Sequence, residues 1–399
     1  MKFTEFNFKP EIIEGIKSLG FEDATPIQDE AIPKITEGKD IIASAQTGTG
    51  KTAAFLLPMI NKLMGESDHD SIKALIIVPT RELAIQIDQQ MEGFSYFTSI
   101  SSIAVYGGGD GDLFTQEKQA LSSGADVVIC TVGRMTSHLN MGYVKLDKLQ
   151  YLVLDEADRM LDMGFHDDIM RIISFLPKKR QNLLFSATMP IKIRDLARKI
   201  LAEPEEISIA ISKANERITQ VAFIIYDSQK IPLALHFLKA KKFESVIVFC
   251  STKLSTKQLT KELQKLGLDV ESVHSDLDQK EREEALQKFK SKKLNILVAT
   301  DILSRGIDIE DIDLVINYDV PNDGEDYIHR IGRTARAASN GAAFTFVGVQ
   351  EQNKFQDIEN LLGKPVPKAN LPESFGDVPE YNPRKGRSGG KKPYRRKKS

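Results

Sequence analysis

Apolar residues in this chain fall into short unbroken runs, separated by stretches long enough to hold a helix. In the first half the runs are DIIAS (40–44), ALIIVP (74–79), SIAVYGG (102–108), DVVICT (126–131), YLVLD (151–155), NLLFSAT (182–188) and EISIA (206–210). Continuous rather than alternating runs are expected of parallel strands covered by helices on both faces. Between them the spacing turns helical: in PEIIEGIKSLG, Ile12, Ile13, Ile16 and Leu19 form one stripe, and Gly20 is placed to end the helix. The pattern restarts with FESVIVFCST (243–252), LDVESVHS (268–275), LNILVATD (294–301), DLVINYD (313–319) and GAAFTFVG (341–348). Between the two series lies ISKANERITQ (211–220), polar and aperiodic, which predicts a linker. The expected fold class is α/β, two tandem doubly wound domains with mostly parallel sheets, at 1–210 and 221–366. A flexible basic tail is expected over 367–399.

Composition narrows the class. With 399 residues, 41% hydrophobic and 28% charged, the chain is globular and long enough for two cores. Its two cysteines, Cys130 and Cys250, sit inside apolar runs and read as buried thiols, which argues against a disulfide framework or a Cys-based metal site. The N-terminal MKFTEFNFKPE lacks the apolar core of a signal peptide, and no run is long enough to span a bilayer. A soluble protein of the reducing cytoplasm is expected. The net charge of −2 hides an asymmetry: residues 384–399 carry nine Lys or Arg and no acid, leaving −11 on the rest. Such a tail cannot bury enough surface to fold, and suits an arm for polyanions, nucleic acid above all.

The segment DIIASAQTGTGKTAAFLL reads as strand, glycine-rich turn and apolar helix. Gly48 and Gly50, flanking Thr49, let backbone N–H groups converge on an anion, and the helix start adds its dipole. Lys51 is placed to reach the outer phosphates of a nucleotide, and the Thr52 hydroxyl to ligate Mg²⁺. The strict phosphate-loop pattern has glycine where this chain has Ala45. A second strand, YLVLD, ends in three crowded carboxylates, Asp155, Glu156 and Asp158. Crowded acids call for a metal ion, nearby cations or water on an exposed turn. With a phosphate loop in the same chain, Asp155 is expected to hold Mg²⁺ and Glu156 to activate a water. Asp158 also reads as a carboxylate at a helix start, where the dipole favours it.

Taken together, DEAD (155–158), AQTGTGKT (45–52), PTREL (79–83), SAT (186–188) and HRIGRTAR (329–336) make this chain resemble the DEAD-box RNA helicases, from about Phe3 to about Val347. The resemblance implies RecA-like domains and an ATP- and Mg²⁺-dependent enzyme. It also implies that Phe21, Thr25 and Gln28 of GFEDATPIQ read adenine, with the isolated Phe3 supporting the segment. By the same resemblance Arg333 and Arg336 reach the terminal phosphate from the second domain, and Asp308 contacts the ribose. Ser186 and Thr188, with Asp158 and His329, would couple hydrolysis to strand separation. Spacing alone puts Arg330, Arg333 and Arg336 on a shared face.

Nucleic acid is expected beyond the carboxyl ends of the strands. In the first domain the resemblance assigns it Thr80, Arg81, Gly107, Gly108, Thr131 and Arg134; in the second, Gln279, Arg282, Thr300 and Arg305. No cluster of base-reading side chains stands out, so sugar-phosphate contacts without sequence preference are expected. Three further departures from the family pattern are Val132 for a usual proline, Ala335 for glycine, and the longer, acidic GGGDGD loop (107–112). The expected function is RNA-stimulated ATP hydrolysis coupled to local, non-processive opening of short RNA duplexes or RNP remodelling. The expected protein is a monomer whose tail tethers RNA. A DNA-acting ATPase and an RNA clamp with incidental hydrolysis are the rivals; a small-molecule kinase leaves the second domain unexplained.

Overall fold

Each unbroken apolar run becomes a strand, most of them covered on both faces, in a computed structural model that describes all residues except 46–47, 67–70, 109–110, 210–217, 241–242, 301–311, 323, 335–340 and 384–399. The chain divides into two units, Met1–Ser212 and Lys213–Ser399. Strands of the first are β1 (Ile41–Ser44), β2 (Ala74–Val78), β3 (Ser102–Val105), β4 (Val127–Thr131), β5 (Tyr151–Leu154), β6 (Gln181–Ser186) and β7 (Glu205–Ser208). Those of the second are β8 (Ile218–Ile224), β9 (Val246–Cys250), β10 (Val270–Val273), β11 (Ile296–Thr300), β12 (Leu314–Asn317) and β13 (Gly341–Val347). Helices of the first unit are α1 (Pro10–Ser18), α2 (Pro26–Thr36), α3 (Lys51–Leu63), α4 (Arg81–Ser95), α5 (Gly111–Ser123), α6 (Val132–Asn140), α7 (Ala157–Asp162), α8 (His166–Ser174) and α9 (Ile191–Ile200). The second has α10 (Asp227–Ala240), α11 (Lys253–Lys265), α12 (Gln279–Lys290), α13 (Gly324–Ile331) and α14 (Gln352–Leu362).

Among the described residues the first sheet runs β3-β4-β2-β5-β6-β1-β7 and the second β10-β11-β9-β12-β13-β8. Their strand pairings are parallel. Alternate residues serve opposite layers. Ala74, Ile76 and Val78 pack with residues of α1 to α4, whereas Leu75 and Ile77 pack with residues of α5 to α9. In the second unit Ile247 and Phe249 face α12, α13 and α14, while Val246, Val248 and Cys250 face α10 and α11. Because every strand is parallel, all carboxyl ends of a sheet open on one edge. In the first sheet β1, β6 and β5 form one half of that edge, and β2, β4 and β3 the other.

Two expectations are corrected. Strand β8 begins at Ile218, so the last three residues of the expected linker are strand, and the run VAFII (221–225) that continues it was not among those read as strands. It lies at the sheet margin; Ile218 and Gln220 are buried, Thr219 is exposed, and Gln220 accepts a hydrogen bond from the Tyr327 hydroxyl at 3.1 Å. A polar residue with a buried partner hides the start of the strand from a hydrophobic pattern. The second correction concerns the tail, whose first part is not free chain. Val366 is 2% exposed, and Lys368 bridges Ala222 of β8 in parallel. The Ala222 N–H donates to the Pro367 carbonyl at 2.8 Å, and the Ala369 N–H to the Ala222 carbonyl at 2.9 Å. Leu371 and Phe375 pack against the α10 face, the Gln229 amide donates to the Phe375 and Asp377 carbonyls, and the Tyr381 hydroxyl donates to Glu359 at 2.7 Å. This strap covers an otherwise open strand edge. Only 384–399 of the expected tail lies outside the described residues. Among those described, no helix is long and apolar enough to cross a membrane.

Ending the chain after Gly363 removes the two strap-to-β8 hydrogen bonds and the buried Val366, a loss of about 2–4 kcal/mol. Thermal unfolding should show the second unit melting several degrees lower, whereas removal of 384–399 alone leaves it unchanged. Equal melting of the two truncations would show that the strap contributes no stability.

Candidate active site

The phosphate loop is built by backbone geometry before side chains enter. The methyl of Ala45, where the strict pattern has glycine, is buried in the core, and the Ala45 N–H donates to the Ser186 carbonyl at 3.1 Å. Gly48 and Gly50 have φ of +77° and +93°, and Gly50 is the residue from which α3 starts. A Cβ at Gly50 would sit 2.4 Å from Gln28 Nε2 and 2.9 Å from Thr25 Oγ1. Glycine is therefore required there twice, for its left-handed conformation and for space. Gln28 Nε2 donates to the Gly50 carbonyl at 3.0 Å, and Gln28 Oε1 accepts from the Thr25 N–H at 2.8 Å. These bonds use one of the amide's two N–H groups and one of its two lone pairs. The segment assigned to adenine and the loop assigned to phosphate are thus one hydrogen-bonded unit, a link that local sequence did not reveal. Phe21 is 42% exposed, with its ring 5.9 Å from that of Phe94, beside a cavity of about 450 Å³ whose lining includes Phe3, Ile13 and Ile16.

The carboxylates of the β5 end are not on an exposed turn. Asp155, Glu156 and Asp158 are 3%, 5% and 8% exposed. Burial, with the charges of Glu156 and Asp158, raises the Asp155 carboxyl to about 6, against the Lys51 ammonium and the Glu156 N–H, which hold it down. That N–H donates to Asp155 Oδ1 at 2.9 Å, because Glu156 adopts a left-handed conformation with φ of +51°. A non-glycine residue there stores about 1 kcal/mol or more of strain. Arg159, which sequence reasoning passed over, sits one turn on, with Nη1 3.3 Å from Glu156 Oε2; the i,i+3 spacing was its only signal. Ser186 is fully buried, and its hydroxyl accepts from the Asp158 N–H at 3.3 Å, joining the ends of β5 and β6; Thr188 is also buried.

The donor set fits a magnesium–nucleotide complex. Lys51 is 5% exposed and its Nζ is buried with no hydrogen-bond partner. Among the described residues no three acidic, histidine or cysteine side chains cluster as a metal cage. Magnesium asks for less from the protein, since it is commonly held by one or two carboxylates plus substrate phosphates. Asp155, with the half-buried Thr52 of the first turn of α3, has the chemistry for that arrangement.

The β2–β4–β3 half of the edge carries the residues assigned to nucleic acid. Thr80 caps α4, its hydroxyl accepting from the Leu83 N–H at 3.4 Å. The Arg81 guanidinium lies over the Tyr106 ring at 4.7 Å, and Gly108, at φ +91°, leaves room beside it. Gly107, Thr131, Gly133, Arg134 and Ser137 line a cavity of about 380 Å³. Val132 occupies the first position of α6 with its side chain in the core, so a helix starts there as it would with proline. Two residues of the acidic glycine loop, 109–110, lie outside the described residues.

In the second unit Arg330 turns inward, away from the face expected of it. Helix α13 ends at Ile331, and Arg330 is fully buried, its Nη1 donating to Asn317 Oδ1 at 3.2 Å and to the Asp319 carbonyl at 2.9 Å. Arg330 is a framework residue. Arg333 and His329 are 6% and 5% exposed. Thr300 ends β11 with its hydroxyl buried and unbonded, and Arg282 Nη2 donates to the Ser275 carbonyl at 3.2 Å. Arg305, Asp308, Ala335, Arg336 and the Gln279 side chain lie outside the described residues.

Two family models match the chain, DEAD/DEAH box helicase over residues 25–196 and helicase conserved C-terminal domain over 229–338. The ATP-dependent RNA helicase CshA of Listeria monocytogenes is 43% identical over 364 residues, which is 91% of this chain and 69% of the relative. The ATP-dependent RNA helicase DeaD of Escherichia coli K12 is 40% identical over 374 residues, 93% of this chain but 59% of the relative, so the chain spans less than two thirds of it. Among solved structures, S. cerevisiae Dbp5 bound to RNA and ADP BeF3 matches with a TM-score of 0.82 at 31% identity, covering 92% of this chain and 95% of that one. Mss116p bound to ssRNA and AMP-PNP matches at 0.81 and 30% identity, covering 94% and 80%.

Asp155→Asn tests the crowding. The wild-type carboxyl, at about 6 when folded against 3.8 ordinarily, favours folding when protonated, so stability is lost as pH rises through that window. Above it the cost is about 3 kcal/mol. Nucleotide-free Asp155→Asn should therefore melt several degrees above wild type at pH 7.5, with the gap shrinking by roughly half at pH 5. A gap that ignores pH, or a less stable variant, would contradict the assignment.

Proposed function

Because the chain belongs to the DEAD-box ATP-dependent RNA helicases, we propose that it hydrolyses ATP when single-stranded RNA is bound and uses that cycle to open short duplexes locally or remodel RNP. The observation that carries the proposal is the strand order β5-β6-β1, which brings the phosphate loop, the acidic strand end and Ser186 side by side. In this reading Phe21, Thr25 and Gln28 select the base, while Gly48, Thr49 and Gly50 cradle the phosphates with their backbone. Lys51 neutralises charge on the outer phosphates, a role that suits an ammonium buried without a partner. Mg²⁺, when bound beside Asp155 and Thr52, would supply further positive charge to the phosphate oxygens. Glu156 accepts the proton of the attacking water, and its strained backbone with the Arg159 contact fixes where its carboxylate points. Arg333 and Arg336 are assigned to the terminal phosphate and Asp308 to the ribose, by resemblance.

Ser186 links hydrolysis to RNA through its bond to the Asp158 N–H. His329 and Thr188 are assigned to the same coupling. RNA contacts are assigned to the β2–β4–β3 half of the first edge and to Gln279, Arg282, Thr300 and Arg305. They are made to the sugar-phosphate backbone, so affinity should vary little with sequence. The nine cations of 384–399 add a tether that steepens the salt dependence by about 0.7 per phosphate contact on a single strand. A monomer in the cytoplasm completes the proposal, supported by two buried, unpaired thiols.

ATP hydrolysis should be measured with no polymer, with single-stranded RNA and with single-stranded DNA, at one low salt concentration. RNA alone should stimulate it, and Glu156→Gln should lower the stimulated rate at least ~100-fold. Equal stimulation by DNA would favour a DNA-acting ATPase. Duplex opening that survives in Glu156→Gln would favour a clamp whose hydrolysis is incidental.

A further inference from the structure

Glu117, on α5, is a carboxylate with no solvent exposure, and neither composition nor motif had marked it. Its Oε1 accepts from the Tyr106 backbone N–H at 3.0 Å. Its Oε2 meets Arg134 Nε at 2.6 Å and His138 Nε2 at 3.0 Å. His138 Nδ1 in turn meets the Tyr143 hydroxyl. One proton arrangement satisfies the whole chain: Tyr143 donates to Nδ1 of a neutral imidazole, whose Nε2–H donates to Glu117. Burial works against the Glu117 charge, yet the His138 and Arg134 bonds outweigh it and hold the carboxyl below its ordinary value. The Phe114 ring stacks on His138 at 4.6 Å and 13°, and the Arg134 guanidinium lies over the same ring at 4.6 Å.

The consequence for Arg134 is geometric. Its Nε is spent on Glu117 and its plane is held by Phe114, while its Nη2 is buried without a protein partner. Arg134 also lines the 380 Å³ cavity with Gly107, Thr131, Gly133 and Ser137. A fork held on one side and unpartnered on the other presents N–H groups to an oxyanion at little entropic cost. The same carboxylate fixes the backbone at Tyr106, the residue before Gly107. Glu117 thus ties α5, the glycine loop and α6 to one another at the cavity rim.

We propose that Glu117 is a positioning residue for RNA: it orients Arg134 and the glycine loop so that a backbone phosphate finds both in place. This rests on the reading that Arg134 contacts RNA. An ion pair that merely staples α5 to α6 would hold the fold and leave RNA affinity alone, so the test must separate the two.

Single-stranded RNA binding would be measured by fluorescence anisotropy, with a non-hydrolysable ATP analogue and Mg²⁺, for wild type, Glu117→Gln, Arg134→Ala and the double variant. Glu117→Gln keeps the shape and loses the charge; RNA should bind about fivefold more weakly, and Arg134→Ala about tenfold. The double variant should lose less than the two single losses combined, since part of the Glu117 effect passes through Arg134. In RNA-stimulated hydrolysis the RNA concentration for half-maximal rate should rise in Glu117→Gln, while kcat at saturating RNA is kept. Unchanged or tighter binding by Glu117→Gln, or additive losses in the double variant, overturns the positioning role. If Arg134→Ala binds RNA as wild type does, the contact reading fails and the proposal with it. Should Glu117→Gln not fold, Tyr143→Phe loosens the same network from its far end. It should weaken RNA binding about twofold, and only where Arg134 is present.

Discussion

Three buried carboxylates behind one strand are the constraint around which the first unit is organised. Asp155 cannot ionise without cost where β5 ends, and a cation that eases that cost is Lys51, which comes from the phosphate loop. The loop and the acids therefore need each other before any nucleotide arrives. The strand order makes the meeting unavoidable, since β1 and β5 flank β6 and all three run the same way. Glu156 is then turned by a strained backbone and held by Arg159, and Ser186 closes the gap from the β6 end. Gln28 completes the arrangement from outside the sheet by gripping the Gly50 carbonyl.

The other half of the same edge follows a different logic. Around Arg134 the charges are already matched: Glu117 is saturated by three donors, and Arg134 keeps an N–H group to spare. The β5–β6–β1 half is held in tension by unmatched charge, while the β2–β4–β3 half is held in place by matched charge. A ligand with phosphates suits both, relieving the first and completing the second. In the second unit, buried charge serves the frame. Lys230 is clasped at 2.8 Å by both Asp319 and Glu351; burial opposes its charge, but those carboxylates raise its pKa. Asp319 also accepts from the Ser251 N–H at 2.8 Å, so this buried pair fixes the loop after β9.

Much of this was legible in the sequence because parallel strands covered on both faces leave unbroken apolar runs, and because chemistry collects where those runs end. ALIIVP and YLVLD announced β2 and β5, and the residues after them announced Thr80, Arg81 and Asp155. What stayed hidden depended on partners distant in the chain. The polar start of β8 read as linker because Gln220 is satisfied by Tyr327, 107 residues on. The strap over 366–383 has the composition of a loose end, and its order comes from an open strand edge that only the folded sheet provides. Arg330 had the same spacing as its neighbours in HRIGRTAR, yet the end of α13 turned it inward to Asn317. Glu117 carried no local signal at all, since its donors lie 11, 17 and 21 residues away.

The central claim, that the acids behind β5 are poised for a metal–nucleotide complex, is tested most directly by thermal unfolding with a non-hydrolysable ATP analogue, with Mg²⁺ or with a chelator. A ligand that binds only the folded state stabilises it in proportion to the logarithm of its concentration over Kd. The account predicts a clear rise in melting temperature with analogue and Mg²⁺ together, and a much smaller one with analogue and chelator. Equal shifts in the two conditions would mean that Asp155 is not compensated by the metal, and would contradict it.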